Sequence, residues 1–154
     1  MSTEQEKKGV RNAHAPILFV DDEPMAHKIV KNLLKDWDVK SAYSAEEAQE
    51  IMNKENILIL ITDIKMPGMT GIDLLKKIKR TPGRGIVQVI VVTASEQIEH
   101  LINALESGAN DFLLKPLKKE DIEETLENTL SKITRWQKTM KSLFQKRKEN
   151  VSKS

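Results

Sequence analysis

The sequence predicts an α/β protein with a doubly wound, five-stranded parallel sheet and an extended C-terminal helix. Two observations support this fold class. Short apolar runs rich in Ile and Val are typical of strands buried on both faces of a parallel sheet. Helical patterns lie between these runs in strict alternation, which favours right-handed crossovers with helices on both faces. The length of 154 residues fits one domain with a sizeable core.

Five strands are predicted along the chain. Four are compact apolar runs, and the other, residues 39–43, alternates in polarity and is predicted to lie at an edge of the sheet. The four apolar runs are residues 17–20, 57–61, 86–92 and 112–114.

Five helices are predicted between and after the strands. Pro24 suits the first turn of the first helix, where a missing N–H costs nothing. Ser44 and Glu47 have the spacing of a capping box at the start of the second helix. Gly108 is a suitable C-cap for the fourth helix. The predicted ranges are 25–35, 44–53, 71–79, 96–106 and 119 to about 150.

The composition excludes several classes of protein. Hydrophobic residues make up 39% of the chain and charged residues 31%, as in ordinary globular domains. The chain has no cysteine, which excludes disulfides, thiolate metal sites and thiol catalysis. The polar N-terminus lacks the apolar core of a signal peptide, and no apolar run approaches membrane-spanning length. We therefore expect a cytoplasmic protein with no membrane partner.

Polar side chains follow the predicted strands at their carboxyl ends. Asp21 and Asp22 follow the first strand, Asp63 the third, Thr93 the fourth and Lys115 the fifth. Doubly wound folds bind ligands outside the carboxyl ends of their strands, at the point where strand order reverses. Three converging carboxylates suit a hard cation, and Mg²⁺ combines one or two carboxylates with waters and phosphate oxygens. The pattern therefore predicts a Mg²⁺ site at this edge.

These residues, together with Ala94 and Pro116, resemble the receiver domain of bacterial two-component response regulators over about residues 16–131. The stretch 63–71, DIKMPGMTG, resembles the phosphorylation loop of that family. The resemblance implies a flavodoxin-like sheet with the strand order 2-1-3-4-5. It also implies a signalling switch in a phosphorelay, with a sensor histidine kinase or a histidine phosphotransfer protein as the donor.

The resemblance assigns the acids their roles. It implies that Asp63 is the phospho-acceptor, since a carboxylate can attack a phosphoryl donor to form an acyl phosphate. It implies that Asp22, Asp63 and the main-chain carbonyl of Lys65 bind Mg²⁺ directly. Asp21 is expected to act mainly through water, and Glu23 is interpreted as an acid of the first helical turn.

The resemblance also implies a set of residues around the phosphoryl group. Lys115 supplies a positive charge, the Thr93 hydroxyl hydrogen-bonds a phosphoryl oxygen, and the small side chain of Ala94 leaves room for the group. Phe112 matches the aromatic switch position that responds to Thr93, a two-state element biased by a local charge event. A cis bond at Pro116 is expected to aim the Lys115 side chain.

Two other functions are compatible with part of the pattern. A Mg²⁺-dependent aspartyl phosphatase of the haloacid-dehalogenase type also uses an Asp at the end of a parallel strand. It requires a second Asp two residues later, where this chain has Lys65. An unphosphorylated interaction module is disfavoured by the complete set of acids, Thr and Lys. The chain is accordingly predicted not to be an enzyme, except that it catalyses its own phosphorylation and dephosphorylation.

The end of the chain differs in charge from the rest. Residues 132–154 carry eight Lys or Arg and one Glu, whereas the remaining residues have a net charge of −5. A heptad pattern here leaves two interpretations open: a final helix with a solvated end, or a helix whose Trp136, Met140 and Leu143 contact a partner helix and form a homodimer. Nucleic acid is not expected, because no compact DNA-binding fold fits into 23 residues. The predicted boundaries are a flexible segment at 1–15, a receiver domain at 16–131 and a basic helical extension or linker at 132–154.

The remaining residues of interest receive simpler interpretations. His14, His27 and His100 share no ligand spacing and are predicted to be surface or rim residues. Lys65 and Ser95 occupy positions that resemble those at which the family tunes the lifetime of the phosphoryl group. The output of the switch, its cognate kinase and any further effector domain are left open.

Overall fold

A computed structural model describes residues 16–94 and 98–152 of the chain. Its sheet has the strand order β2-β1-β3-β4-β5, and all neighbouring strands are parallel. The predicted fold class and strand order are therefore confirmed. The strands are β1 (Ile17–Val20), β2 (Val39–Ala42), β3 (Ile59–Asp63), β4 (Gln88–Ala94) and β5 (Asp111–Lys115).

The strands β3 and β4 begin and end two residues later than the apolar runs that predicted them. Main-chain pairing continues through polar residues, because the ladder uses backbone groups and does not depend on apolar side chains. Asp63 pairs with Val92, and Thr93 pairs with Leu114. The prediction that Asp63, Thr93 and Lys115 follow their strands was therefore wrong by one or two residues. All three lie within the last residues of a strand, where the sheet fixes their backbone.

The central strands β1, β3 and β4 form the core of the sheet. Their apolar side chains are buried on both faces, and Leu18, Leu60 and Val91 are each completely inaccessible to solvent. Burying a side chain of this size stabilises the fold by about 1.5–3 kcal/mol. The edge strand β2 is only half-buried except at Ala42, as its alternating polarity predicts.

Five helices lie within the described residues, and side-chain caps fix the starts of the second and third. The Ser44 Oγ accepts a hydrogen bond from the Glu47 N–H, as predicted. Thr70 and Asp73 form a full capping box that the sequence analysis missed. Gly108 has a φ of +106° at the end of the fourth helix, which favours glycine. The helices are α1 (Pro24–Leu33), α2 (Ala45–Lys54), α3 (Gly71–Arg80), α4 (Ile98–Glu106) and α5 (Lys119–Ser152).

The last helix, α5, is 34 residues long and starts where the sequence predicts. The chain divides into two compact units within it, one ending at Ile122 and the other beginning at Glu123. Every side chain from Gln137 to Ser152 is exposed. The predicted boundaries at 15 and 131 stay predictions, and residues 1–15 lie outside the described part. None of the described helices is both long enough and apolar enough to cross a membrane.

Candidate functional site

Three carboxylates meet at the carboxyl edge of the sheet. Asp21 and Asp22 follow β1 directly, and Asp63 is the last residue of β3, the strand beside it. One carboxylate oxygen from each acid lies within 4.8 Å of the other two. Asp21 is buried, Asp63 is half-buried and Asp22 is exposed, so the cluster opens to solvent on one side. The structure therefore brings together the three acids that the sequence predicted.

Lys115 faces this cluster from the end of β5. Its Nζ lies 3.3 Å from the Asp63 Oδ2 and 3.7 Å from the Asp21 Oδ2. One ammonium group therefore pairs with two carboxylates and leaves the local charge negative. The bond between Lys115 and Pro116 is cis, as predicted.

The environment of Asp63 disfavours its charged form. Burial raises the pKa of Asp63 above its ordinary value, and the negative charge of Asp21 raises it further, against the opposing charge of Lys115. A carboxyl group with a raised pKa gains from any additional positive charge that reaches it. The positive charge of Lys115 therefore does not balance the negative charge of the acids, and a cation bound here would stabilise the charged form of Asp63.

The loop after Asp63 folds back tightly over it. The Gly71 N–H donates to the Ile64 main-chain oxygen at 2.9 Å. A Cβ at position 71 would overlap the main-chain carbonyl oxygen of Asp63. Only glycine lets the start of α3 approach this closely. From the sequence, Gly71 is predicted to be a turn residue that shapes the loop around Asp63, but its close approach to the Asp63 backbone has no local signal.

Thr93 and Phe112 occupy the neighbouring strands β4 and β5. Thr93 is buried, and its hydroxyl lies 3.4 Å from the Ala94 main-chain oxygen, at the long limit of a hydrogen bond. Phe112 is 37% exposed and is paired with Val91. Phe112 is therefore only partly buried at the position that resembles the aromatic switch. Ser95, the other position named beside Thr93, lies outside the described residues.

His27 corrects one of the predictions. The sequence analysis interpreted it as a surface or rim residue, but it is 2% exposed. The reason is helical periodicity, since His27 lies on the same buried face of α1 as Val30, three residues later. His14 lies outside the described residues, and His100 is half-exposed on α4.

The donor set fits a hard divalent cation. The three acids supply only oxygen atoms, and one of them is open to solvent, which leaves room for water ligands. A softer metal such as Zn²⁺ usually takes nitrogen or sulfur ligands. Asp22 and Asp63, with Asp21 behind them, are the side chains that would hold Mg²⁺. The side chain of Lys65 is exposed, and the role of its main-chain carbonyl stays a prediction.

The fold and the site together define a doubly wound α/β domain whose ligand-binding edge carries three acids and a paired lysine. A family profile described as "Response regulator receiver domain" matches residues 17–127. The chain belongs to this family. The resemblance expected from the sequence is thereby confirmed, as is the strand order that it implied.

Relatives in sequence and in structure agree with this assignment. The chain is 32% identical to the chemotaxis protein CheY-3 of Vibrio cholerae over 129 residues, which is 82% of this chain and 99% of that protein. It is 34% identical to the two-component response regulator ORR5 of Oryza sativa over 119 residues, with coverages of 75% and 89%.

Among solved structures, the chain is similar to a response regulator receiver domain protein from Clostridium thermocellum. The TM-score is 0.72 at 31% identity, covering 80% of this chain and 99% of that one. It is also similar to the receiver domain of NtrX from Brucella abortus. That TM-score is 0.69 at 28% identity, with coverages of 75% and 98%.

Proposed function

We propose that this protein is a phospho-acceptor signalling switch in which Asp63 accepts a phosphoryl group from a phospho-histidine. The donor would be a sensor histidine kinase or a histidine phosphotransfer protein. The observation that supports this most directly is the position of Asp63. Its carboxylate lies in the acid cluster and 3.3 Å from Lys115 Nζ, at the edge where doubly wound folds bind ligands.

In the proposed reaction, an Asp63 carboxylate oxygen attacks the phosphorus atom of the donor. The new O–P bond forms as the P–N bond breaks, and the donor imidazole leaves with the electron pair and takes up a proton. Lys115 neutralises charge on the phosphoryl oxygens, and the Thr93 hydroxyl donates a hydrogen bond to one of them. A Mg²⁺ ion held by Asp22 and Asp63 would supply further positive charge to the phosphoryl group.

The return step restores the carboxylate. Water attacks the phosphorus, the bond between phosphorus and the Asp63 oxygen breaks, and inorganic phosphate leaves. In this proposal the chain carries one phosphoryl group at a time and has no turnover substrate. The alternative of a phosphatase with a second catalytic Asp is disfavoured by Lys65 at that position, an exposed lysine that cannot act as a carboxylic acid.

The proposed switch couples Thr93 to Phe112. When the Thr93 hydroxyl turns toward the phosphoryl group, the ring of Phe112 moves inward from its position at 37% exposure. Burying more of an aromatic ring is favourable by itself, so a small local change can shift the equilibrium between the two states. Phe112 has no hydroxyl, so a partner would recognise the change of shape and not a new hydrogen bond.

The proposed homodimer involves the distal half of α5. Met140 is 38% exposed, Leu143 is 59% exposed, and Trp136 is half-exposed on the same helix. Phe144, at 62% exposure, extends this apolar face beyond the residues that the heptad pattern indicated. A second copy of the chain is the proposed occupant, since heptad spacing suits pairing with an equivalent helix.

The phospho-acceptor assignment is tested with acetyl phosphate and Mg²⁺. We expect one phosphoryl group per chain in the wild-type protein by intact mass spectrometry, and none in Asp63→Asn. Beryllofluoride with Mg²⁺ should shift the amide resonances around Asp63 in the wild type only. Asp36→Asn, at an exposed aspartate outside the cluster, is the matched control and should behave as wild type.

Two results would contradict the proposal. The first is undiminished phosphorylation in Asp63→Asn, which would move the acceptor to another residue. The second is steady multiple turnover on a small phosphate ester, which would support the phosphatase alternative.

A further inference from the structure

The buried imidazole of His27 contacts the acid cluster through the main chain. Its Nε2 lies 2.7 Å from the main-chain oxygen of Asp21, and both residues are at least 98% buried. A carbonyl oxygen can only accept, so Nε2 carries the hydrogen in this contact. The bond spans the turn between β1 and α1, which is the segment that places Asp21 and Asp22.

The ring of His27 is held by two aromatic side chains. Phe19 of β1 meets it edge-on with ring centroids 4.9 Å apart, and Tyr43, just after β2, lies against it at 4.1 Å. Among the described residues, the other ring nitrogen, Nδ1, is buried and has no hydrogen-bond partner. The imidazole therefore makes one hydrogen bond among the described residues, through Nε2, and the two aromatic rings hold it in the orientation that this bond requires.

Asp21 is fixed at three points by these interactions. Its N–H donates to the Ala42 oxygen at 3.2 Å, and its Oδ1 accepts from the Glu23 N–H at 2.9 Å. The hydrogen bond from His27 fixes the carbonyl oxygen, and therefore the plane of the peptide that joins Asp21 to Asp22. Asp22 is exposed and lies among like charges that repel it. An anchored peptide would keep its carboxylate in the cluster despite this repulsion.

We propose that His27 is a positioning residue that pre-organises Asp21 and Asp22 for the divalent cation. It touches neither the cation nor the phosphoryl group and acts only through the Asp21–Asp22 peptide. The inference rests on the proposed function, since it presumes a Mg²⁺ site at the acid cluster. Groups that orient metal ligands in this way typically change metal affinity by about 10–100-fold when they are removed.

The test compares two substitutions of His27 that differ in one hydrogen-bond donor. His27→Leu fills similar space without a donor, whereas His27→Gln places an amide N–H near the position of Nε2. We expect the Mg²⁺ affinity of His27→Leu, measured by amide chemical-shift titration of the folded protein, to fall about 10-fold. His27→Gln should stay within about threefold of wild type, because it restores the donor. Urea unfolding in EDTA records the stability of each variant separately.

The outcomes separate this inference from the proposed function. Wild-type protein that binds no Mg²⁺ overturns both. Wild-type protein that binds Mg²⁺, with unchanged affinity in a folded His27→Leu, overturns the positioning role alone. Equal losses of affinity in the Leu and Gln variants also overturn it, because they indicate a packing effect. If His27→Leu does not fold, the imidazole ¹⁵N chemical shifts of the wild type test the inference instead, because they report which ring nitrogen carries the hydrogen. A hydrogen on Nδ1 and not on Nε2 would contradict the hydrogen bond to Asp21.

Discussion

Like charges are gathered in two regions of this protein, and the two regions hold them in different ways. At the sheet edge, three carboxylates lie within 4.8 Å of one another, on the last residue of β3 and the two residues directly after β1. In the distal part of α5, residues 132–152 carry seven Lys or Arg and one Glu, and every side chain from 137 to 152 is exposed. Repulsion between like charges thus acts across a partly buried cluster in one region and along an exposed helix surface in the other.

The difference shows why only one of the two regions resembles a binding site for a small ion. Partly buried charges are weakly screened and cannot move apart, so the negative charge at the sheet edge stays unbalanced and favours the binding of a cation. Long exposed Lys and Arg side chains can separate, and salt screens them over about 10 Å at 0.1 M. A high local charge by itself therefore predicts only an exposed charged surface. An ion-binding site also requires a backbone that holds the charged side chains close together.

The first prediction concerns a substitution that disturbs the backbone beneath the acid cluster, and it has the largest expected effect. Gly71→Ala places a Cβ against the main-chain oxygen of Asp63, so the loop or the strand end must shift. We expect a loss of roughly 3 kcal/mol in the free energy of unfolding, measured by urea denaturation. Gly85→Ala is the matched control, since a Cβ there meets no atom within 4 Å. It should change stability by less than about 0.5 kcal/mol. Equal stabilities of the two variants would mean that the close approach does not constrain the site.

The second prediction removes one of the repelling charges. Burial raises the pKa of Asp63, so between its ordinary value and this raised value the native state binds more protons than the unfolded state. Stability therefore falls as pH rises through that window, and the cost is fully present above the native pKa. Without divalent cations at pH 7, we expect Asp63→Asn to be more stable than wild type by about 1 kcal/mol. That figure allows for screening by solvent.

The pH dependence separates this effect from a packing change. The stability gap between wild type and Asp63→Asn should narrow as pH falls through the window between the raised native pKa of Asp63 and its ordinary value, because the native carboxyl takes up its proton first. Lys141→Gln, on the distal helix, should change stability by less than about 0.5 kcal/mol at either pH. An Asp63→Asn variant that is less stable than wild type at pH 7, or a gap that is independent of pH, would contradict a repulsive cluster.

The sequence predicts most of this sheet edge because the signals are local and periodic. Apolar runs locate the strands, and the polar residues after them identify Asp21, Asp22 and Asp63. Parallel strands then bring their carboxyl ends together, whatever the details of packing. The strands β3 and β4 were each misplaced by two residues, and their ends lie later because backbone pairing continues past the last apolar side chain.

The features that the sequence did not predict all depend on contacts between distant segments. His27 carries no motif, and its role appears only when Phe19 and Tyr43 enclose it. Gly71 reads as a turn residue until the backbone of Asp63 lies against it. The exposure of Phe112 depends on which segments pack over β5, and the pattern of apolar residues along the strand does not predict those segments. Side-chain type predicted which residues gather at the site, whereas packing decided how each of them is held.

The last prediction concerns the other region and has the smallest expected effect. The proposed dimer joins two helices through Trp136, Met140 and Leu143, with Phe144 beside them. Each helix also brings a surplus of positive charge. Burial of the apolar face favours association, whereas repulsion between the two basic helices opposes it and is screened by salt. We therefore expect dimer affinity to rise severalfold between low and moderate salt. Cation binding at the sheet edge should weaken over the same range, because salt screens an attraction there.

Light scattering across a salt series measures this on four proteins: wild type, Leu143→Gln, Ser142→Gln, and a chain that ends at residue 134. Leu143 belongs to the apolar face, and Ser142 lies on the basic, exposed side of the same turn. Leu143→Gln and the shortened chain should be monomeric at every salt concentration, and Ser142→Gln should behave as wild type. Identical monomer masses for all four would contradict the dimer. A dimer that weakens with salt would instead indicate that the basic helix contacts acidic residues of the second copy.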